Sequence, residues 1–274
     1  MTLVLIGPNR QVFPKGDIME AVIILASFGT SHKEGRRLSI EAIENRVKRK
    51  YKDFLVLSTF TSQLIINKLR KRENYLVNSL REALEKANSN KVHNIYIQPL
   101  FILPGKEYEK LINQANEFSQ GNPHLNIQIG KPLLFYDMDY DKVVEGLSSI
   151  EIKPKEGLVF MAHGSNSSID RSYERLECKF RQKGYKNIFI GSIRGSRTID
   201  HIIPILQEKN IGKVKLVPFM LVAGRHALND MVLGENSWKE KLLSAGIQVE
   251  AIIRGLGEIE NIQDIYMDHL SKLL

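Results

Sequence analysis

The sequence predicts an α/β protein made of two similar Rossmann-like lobes, each with a parallel sheet, and a cleft between the lobes. Apolar strands alternate with amphipathic helices along the chain, which is typical of parallel sheets covered by helices on both faces. A strand-and-turn motif occurs twice, at 98–107 and at 217–226. A second pair of apolar runs, 22–31 and 158–165, also ends at glycine-containing turns, so the two halves resemble copies of one design.

The first lobe is predicted from apolar runs and from the amphipathic segments between them. Its first helix is indicated by Ile40, Ile43 and Val47, which share one face while charged residues fill the rest. A later helix is indicated by leucines spaced by four residues, which are Leu76, Leu80 and Leu84. The predicted strands are 21–27, 54–58, 93–99 and 125–130, and the predicted helices are 38–50, 62–72, 74–88, 107–118 and 139–148.

The second lobe repeats the same order of elements. Its last helix is indicated by an apolar stripe that consists of Ile262, Ile265, Tyr266, Leu270 and Leu273. The predicted strands are 158–162, 187–191, 213–218 and 247–252, and the predicted helices are 170–183, 198–208, 226–244 and 260–273.

The domain boundary is expected at a polar break that contains Pro154 and Gly157. We therefore predict an N-terminal extension over 1–18, a first lobe over 19–152 and a second lobe over 153–274, with the last helix free to pack across the lobes. Met19 directly precedes the first strand, so translation can begin at Met1 or at Met19.

Composition narrows the classes of function. The chain has 274 residues, one cysteine and a formal net charge of +8. It shows no apolar run of the ~20 residues that span a bilayer, and its N-terminus does not read as a signal peptide, so we expect a cytoplasmic protein without membrane contact. The positive charge favours an anionic partner. No nucleic-acid-binding motif and no glycine-rich phosphate loop are visible, so nucleic acid and nucleotides are not expected partners.

Two histidines are the strongest candidates for a functional site. In parallel α/β folds, ligands bind beyond the carboxyl ends of the strands. His163 and His226 both follow apolar strands of the second lobe, and Glu107 takes the place of His226 in the first copy of the repeated motif. Imidazole binds first-row divalent metals and exchanges protons near neutral pH, so metal or proton chemistry is predicted. The other histidines are expected to have structural or surface roles, and they are His32, His93, His124, His201 and His269.

With these motifs the chain resembles the anaerobic cobalt chelatases, also called the sirohydrochlorin cobaltochelatase family, of the class II chelatase superfamily. The resemblance covers roughly residues 20 to 274. The matching stretches are Ser27-Phe28-Gly29-Thr30-Ser31, Thr59-Phe60-Thr61-Ser62, Gln98-Pro99-Leu100, Gly105-Lys106-Glu107-Tyr108, His163-Gly164, Pro218-Phe219-Met220-Leu221-Val222-Ala223-Gly224, His226-Ala227, Asn229-Asp230-Met231, Ser237-Trp238-Lys239 and Gly255-Leu256-Gly257-Glu258.

The resemblance implies a chelatase-like fold and the insertion of a divalent metal into sirohydrochlorin, in anaerobic cobalamin or sirohaem biosynthesis. It implies that His163 and His226 bind the metal and accept pyrrole protons, with Glu107 as an acidic partner. The metal is a substrate, Co²⁺ first with Fe²⁺ and Ni²⁺ as alternatives, and no organic cofactor is expected. The oligomeric state is left open, and a homo-oligomer is compatible with the sequence. The residues expected to bind the tetrapyrrole are Phe28, Ser31, Lys106, Arg194 and Arg225.

The chain departs from the family pattern at three positions. Arg194 stands where the family usually has a glutamate, Arg225 where it often has an acid, and Phe101 where a histidine is common. Repulsion between two positive unit charges 4 Å apart costs about 4 kcal/mol at an effective dielectric constant of ~20. The side chain of Arg194 is therefore expected to point away from the metal. It then either binds substrate carboxylates or lies in a solvated loop. We expect Lys106, Arg194, Arg197 and Arg225 to face the cleft, because all four follow strand ends.

The same departures keep a second function open. A tetrapyrrole- or metal-binding paralogue that has kept the fold and lost catalysis is the alternative to a chelatase.

Overall fold

The structure is a computed structural model that describes residues 21–164 and 167–274, without the side chains of 167–170 and of residue 226. The predicted extension at 1–18 lies outside the described residues. Contacts between Cα atoms divide the chain into two compact units. Unit 1 contains residues 21–36, Ile40–Leu133 and Tyr266–Leu274, and unit 2 contains Arg37–Ser39 and Leu134–Ile265.

Unit 1 has a five-stranded sheet in the order β3-β2-β1-β4-β5, in which every neighbouring pair is parallel. Its strands are β1 (Ala21–Ser27), β2 (Leu55–Phe60), β3 (Asn78–Ser79), β4 (Asn94–Pro99) and β5 (Asn126–Ile129). Its helices are α1 (Lys33–Gly35), which continues through a π-helical turn (Arg36–Ile40) into α2 (Glu41–Lys50), then α3 (Gln63–Glu73), α4 (Leu80–Ser89) and α5 (Lys106–Gly121). The central strand β1 is apolar and buried from Val22 onward, as expected for a parallel strand that helices cover on both faces.

Unit 2 has a four-stranded parallel sheet in the order β7-β6-β8-β9. Its strands are β6 (Glu156–Ala162), β7 (Ile188–Ser192), β8 (Lys213–Phe219) and β9 (Gln248–Ala251). Its helices are α6 (Asp137–Leu147), α7 (Ser167–Gln182), α8 (Ile199–Glu208), α9 (Arg225–Leu228) with a π-helical turn (Asn229–Leu233), α10 (Trp238–Ser244), a 3-10 turn (Leu256–Glu258) and α11 (Glu260–Ser271), which also extends into unit 1. All residues of β6 are buried, so it is the central core strand.

The predicted fold class, an α/β chain with two parallel-sheet lobes, is confirmed. The longest helices that the structure describes, α5 and α7, have 16 residues each, and none of the described helices has the length and apolar character needed to cross a membrane.

Two predicted helices are wrong in their extent. The helix predicted over 226–244 is interrupted, because the chain leaves the helical path at Gly234 and a new helix begins after Ser237, whose side chain accepts the amide hydrogen of Glu240. The helix predicted over 74–88 begins only at Leu80. Ser79 and Glu82 form a capping box that fixes this start, and Leu76 lies before it with half of its surface exposed.

The compact units divide the chain differently from the predicted boundary at 152/153. Helix α6 belongs to unit 2, where Lys179 on α7 forms ion pairs with Asp137 and Asp141. The end of α11 belongs to unit 1, because the Tyr266 hydroxyl donates to the Phe101 carbonyl at 3.1 Å. These contacts join segments that are far apart in sequence, so local patterns could not locate them.

Candidate active-site residues at the strand ends

All of the predicted site residues lie just after the carboxyl ends of parallel strands. In unit 1 four of them lie in the loop after β1 and in the first turn of α5, which follows β4. In unit 2 the other four lie in the loops after β6 and β7 and in α9, which follows β8. Within each sheet these strands are neighbours, so their ends meet at one edge. The residues are Phe28, Ser31, Lys106 and Glu107 in unit 1, and His163, Arg194, Arg225 and His226 in unit 2.

His163 follows the buried strand β6 directly, and its side chain is exposed. Its Nδ1 lies 2.9 Å from the carbonyl oxygen of Gly164. Because a carbonyl oxygen only accepts hydrogen bonds, this contact requires the proton on Nδ1. In the neutral ring the lone pair is then on Nε2, so the exposed His163 can bind a metal ion or accept a proton through that atom.

The loop after β7 supports this histidine through its backbone. The amide of Ile193 donates to the carbonyl of Ala162 at 2.9 Å, and the amide of Arg194 donates to the carbonyl of His163 at 3.0 Å. Gly164 adopts φ +69°, and a Cβ atom there would lie 1.9 Å from the Arg194 carbonyl oxygen. The two loops therefore interlock at a position that only glycine fits. The side chain of Arg194 is exposed and open to an anionic ligand.

Glu107 lies in the first turn of α5, where the helix dipole favours a carboxylate. Its Oε2 accepts a hydrogen bond of 2.8 Å from the Thr61 hydroxyl, which follows β2. Lys106 beside it is exposed. Thr61 belongs to the Thr59-Phe60-Thr61-Ser62 stretch that matches the family, but its residue type alone predicts no role for it. That stretch was the signal that could have pointed to the contact.

The loop after β1 presents an aromatic ring and a hydroxyl. The side chain of Phe28 is about half exposed, with a relative accessibility of 51%. Gly29 adopts φ +90° and packs so closely on Phe60 that a Cβ atom would lie 2.4 Å from its ring. The Ser31 hydroxyl accepts a hydrogen bond of 3.0 Å from Lys68 on α3, a cation that sequence reasoning did not assign to the site.

The second predicted histidine is only partly described. His226 lies in the short helix α9, next to the exposed Arg225, but its side chain lies outside the described part of the chain. Among the residues that the structure describes, no three His, Cys, Asp or Glu side chains form a group that could hold a metal ion. The metal ligands predicted from the sequence, His163 and His226, thus stay a prediction.

The structure corrects the expectation for Arg197. Its Nη2 lies 2.8 Å from Oε1 of Glu177, a carboxylate with no exposed side-chain surface. Arg197 therefore serves an internal ion pair and does not extend into solvent as a free cation.

Several of the remaining histidines have local contacts, as expected. The Nδ1 atom of His32 accepts the amide hydrogen of Gly35 and caps α1. The Nε2 atom of His124 lies 2.8 Å from the Asn88 side chain. His269 is buried, and its Nδ1 lies 3.1 Å from the carbonyl of Lys131.

Comparison with known proteins identifies the family. Residues 21–274 match the family model described as cobalt chelatase (CbiK). The sirohydrochlorin cobaltochelatase CbiKC of Nitratidesulfovibrio vulgaris strain Hildenborough is 32% identical over 256 residues, which cover 91% of this chain and 89% of that protein. The sirohydrochlorin cobaltochelatase of Salmonella typhimurium is 30% identical over 259 residues, which cover 93% of this chain and 97% of that protein.

Solved structures support the fold. SirB from Bacillus subtilis with Fe³⁺ has a TM-score of 0.68 at 14% identity, covering 93% of this chain and 96% of that one. The sirohydrochlorin chelatase SirB from Bacillus subtilis subspecies spizizenii, in complex with cobalt, has a TM-score of 0.63 at 13% identity, covering 93% of this chain and 95% of that one. The match of the family model over residues 21–274 and the two relatives of 32% and 30% identity confirm the resemblance, and the chain belongs to the cobalt chelatase (CbiK) family.

Proposed function

We propose that this chain inserts a divalent metal ion, Co²⁺ first, into sirohydrochlorin. The observation that carries the proposal is the exposed imidazole of His163 at the end of β6, held with its Nδ1 proton on the Gly164 carbonyl, in a chain that matches the cobalt chelatase family almost throughout. The two relatives compared above are both named sirohydrochlorin cobaltochelatases. Imidazole ligands also accept Fe²⁺ and Ni²⁺, which therefore remain alternative metals.

The reaction exchanges two protons for one metal ion. Two pyrrole N–H protons must leave the ring while the ion passes from protein ligands to the ring nitrogens. The Nε2 atom of His163 can serve in either step, because its lone pair can bind the ion before transfer or accept a proton during it. His226 is proposed as the second such group. The Glu107 carboxylate, held by Thr61, is proposed as the acidic partner that takes up a proton.

Exposed cations and an exposed aromatic ring suit the substrate. Sirohydrochlorin carries many acetate and propionate groups, and carboxylates bind well to guanidinium and ammonium groups. Arg194, Arg225 and Lys106 are exposed next to strand ends, and Ser31 offers a hydroxyl. The exposed ring of Phe28 can pack against the flat macrocycle.

The decisive experiment follows metal insertion by absorbance, with purified protein, sirohydrochlorin and Co²⁺. We expect His163→Ala and His226→Ala each to lower the rate by at least about 100-fold, in the range for loss of a general base. His124→Ala removes an exposed imidazole from the opposite end of the unit 1 sheet and should leave the rate unchanged. A near-wild-type rate in either site variant would remove that histidine from the mechanism.

A non-catalytic tetrapyrrole- or metal-binding protein is the second candidate. It is favoured by two cations, Arg194 where the family usually has a glutamate and Arg225 where it often has an acid. It predicts that the wild-type protein binds sirohydrochlorin, seen as a thermal shift, but does not change its absorbance with Co²⁺, Fe²⁺ or Ni²⁺.

A further inference from the structure

Glu177 on α7 is a buried carboxylate that the proposed mechanism does not use. Its side chain has no exposed surface, and burial raises its pKa against the opposing effects of an amide and of two arginines. Oε1 accepts the amide hydrogen of Ile190 at 2.5 Å and also lies 2.8 Å from Nη2 of Arg197. Oε2 lies 3.3 Å from Nη2 of Arg181. Burying a charge is costly unless it is paired, so this arrangement depends on its partners.

The position of Glu177 in the fold explains the bond to Ile190. Strand β7 lies at the edge of its sheet, where backbone amides on the outer side have no neighbouring strand among residues 21–164 and 167–274. The carboxylate of Glu177 takes the place of a strand carbonyl at Ile190. The same carboxylate oxygen binds Arg197, so Glu177 ties the strand β7 to the end of the loop that follows it.

That loop is closed at both ends. The amide of Ser192, at the end of β7, donates to the carbonyl of Arg197 at 2.8 Å, while the Arg197 guanidinium is held by Glu177. Between these two contacts, the amides of Ile193 and Arg194 donate hydrogen bonds to the carbonyls of Ala162 and His163, the two residues before Gly164. The path of contacts thus runs from Glu177 through Arg197 to the backbone of His163.

We propose that Glu177 and Arg197 are positioning residues for metal insertion, because their buried ion pair fixes the loop that holds the backbone of His163. The proposal rests on the proposed function. Neither residue touches the metal or the tetrapyrrole in this mechanism. Their effect is to keep the imidazole where it can exchange the ion and the proton, and small displacements of a catalytic group lower rates strongly.

The first test is Arg197→Met, which keeps the length of the side chain and removes its charge. We expect kcat to fall by about 10-fold because His163 is displaced. Arg197→Lys should restore part of the rate, since a lysine can still pair with Glu177. In a His163→Ala background, Arg197→Met should change the rate by less than about 2-fold, because the group it positions is gone. An equal loss in both backgrounds would overturn the proposal.

Arg181→Met is the matched control. Arg181 also contacts Glu177, but it lies on α7 and makes no contact with the loop in the described hydrogen bonds and ion pairs. Its loss should therefore leave kcat near the wild-type value. If Arg181→Met lowers kcat as much as Arg197→Met, the effect comes from the burial of Glu177 and not from the loop, and the proposal fails. Glu177→Gln is a second variant, in case Arg197→Met does not fold, and should lower kcat in the same direction.

Hydrogen exchange separates this inference from the proposed function. The Arg194 amide donates to the carbonyl of His163, so its protection should fall in Arg197→Met and persist in Arg181→Met, whatever the protein catalyses. If the wild-type protein inserts no metal but the Arg194 amide loses protection in Arg197→Met, the proposed function is wrong and the loop architecture is supported. If the wild-type protein inserts metal and Arg197→Met changes neither the protection of the Arg194 amide nor the rate, the inference is wrong and the proposed function is unaffected.

Discussion

At the scale of single residues, Gly164 shows how one backbone position supports a candidate catalytic side chain. Its positive φ of +69° turns the chain just after His163, and its missing side chain makes room for the carbonyl of Arg194. Other residues reach such angles only with strain. The backbone of His163 is therefore held in place by Gly164 and by the amide of Arg194, and neither group takes part in the proposed reaction.

The prediction for this position is that Gly164→Ala destabilises the protein strongly. Left-handed strain costs about 1–2 kcal/mol, and the collision with the Arg194 carbonyl adds to it, so we expect the free energy of unfolding to fall by about 3 kcal/mol. Urea denaturation measures the change. Gly184→Ala is the matched control, because Gly184 has φ +91° but nothing within 4 Å of its Cβ position. It should cost only about 1 kcal/mol. Equal losses in the two variants would show that the collision does not matter.

Sequence reasoning reached some of these residue-scale features and missed others. His163 could be proposed because it directly follows an apolar run and precedes a glycine. The ion pair of Arg197 with Glu177 could not be proposed from the sequence, because it joins a helix to a loop and a strand lies between them in the chain. The hydroxyl of Thr61 on Glu107 is a similar long-range contact. Residue type and spacing therefore point to candidate catalytic groups, which stay a prediction, but not to the groups that hold them in place.

At the scale of elements, the strands were the most predictable part of the fold. Buried parallel strands need continuous apolar runs, and such a run defines β6. Helix ends were less predictable, because they depend on caps and on tertiary contacts. The short strand β3 was missed altogether, since its two residues, Asn78 and Ser79, carry no apolar pattern.

At the same scale, the contact between helices α6 and α7 is expected to stabilise the protein in a pH-dependent way. Hydrogen bonds from Lys179 and Arg175 on α7 hold the pKa of Asp137 below its usual value. A carboxyl with a lowered folded-state pKa stabilises the protein above its unfolded-state pKa of about 3.9, and this contribution is lost as the pH falls through the folded-state pKa. Asp137→Asn should thus lower the Tm at pH 7 by about 1–3 °C, as for an exposed pair.

The pH profile of the Tm tests this prediction. The difference between Asp137→Asn and wild type should shrink as the pH falls below about 4, because the wild-type carboxyl is then protonated as well. A difference that stays constant into the acid range would mean that packing, and not charge, connects α6 and α7.

At the scale of the whole molecule, the duplicated design is visible but imperfect. Both units have a central parallel strand followed by a glycine turn, at Gly29 and at Gly164, and both glycines adopt positive φ. Unit 1 has one strand more than unit 2. The boundary between the units could not be predicted from the repeat, because α6 joins unit 2 and the C-terminal residues join unit 1 through contacts that the repeat does not encode.

The last prediction concerns the charge of the molecule as a whole. The chain has a net charge of +8, and Lys106, Arg194 and Arg225 are exposed beside strand ends. The Debye length falls from about 10 Å at about 0.1 M salt to about 3 Å at about 1 M, so attraction between these cations and a polycarboxylate weakens over that range. Affinity for sirohydrochlorin, measured by spectroscopic titration, should therefore drop clearly with added salt. Arg225→Ala should flatten the dependence, whereas Lys209→Ala, the same change of charge at the opposite end of the unit 2 sheet, should not. Affinity that ignores salt would mean that burial of the ring alone drives binding and that the cations serve only the outer surface.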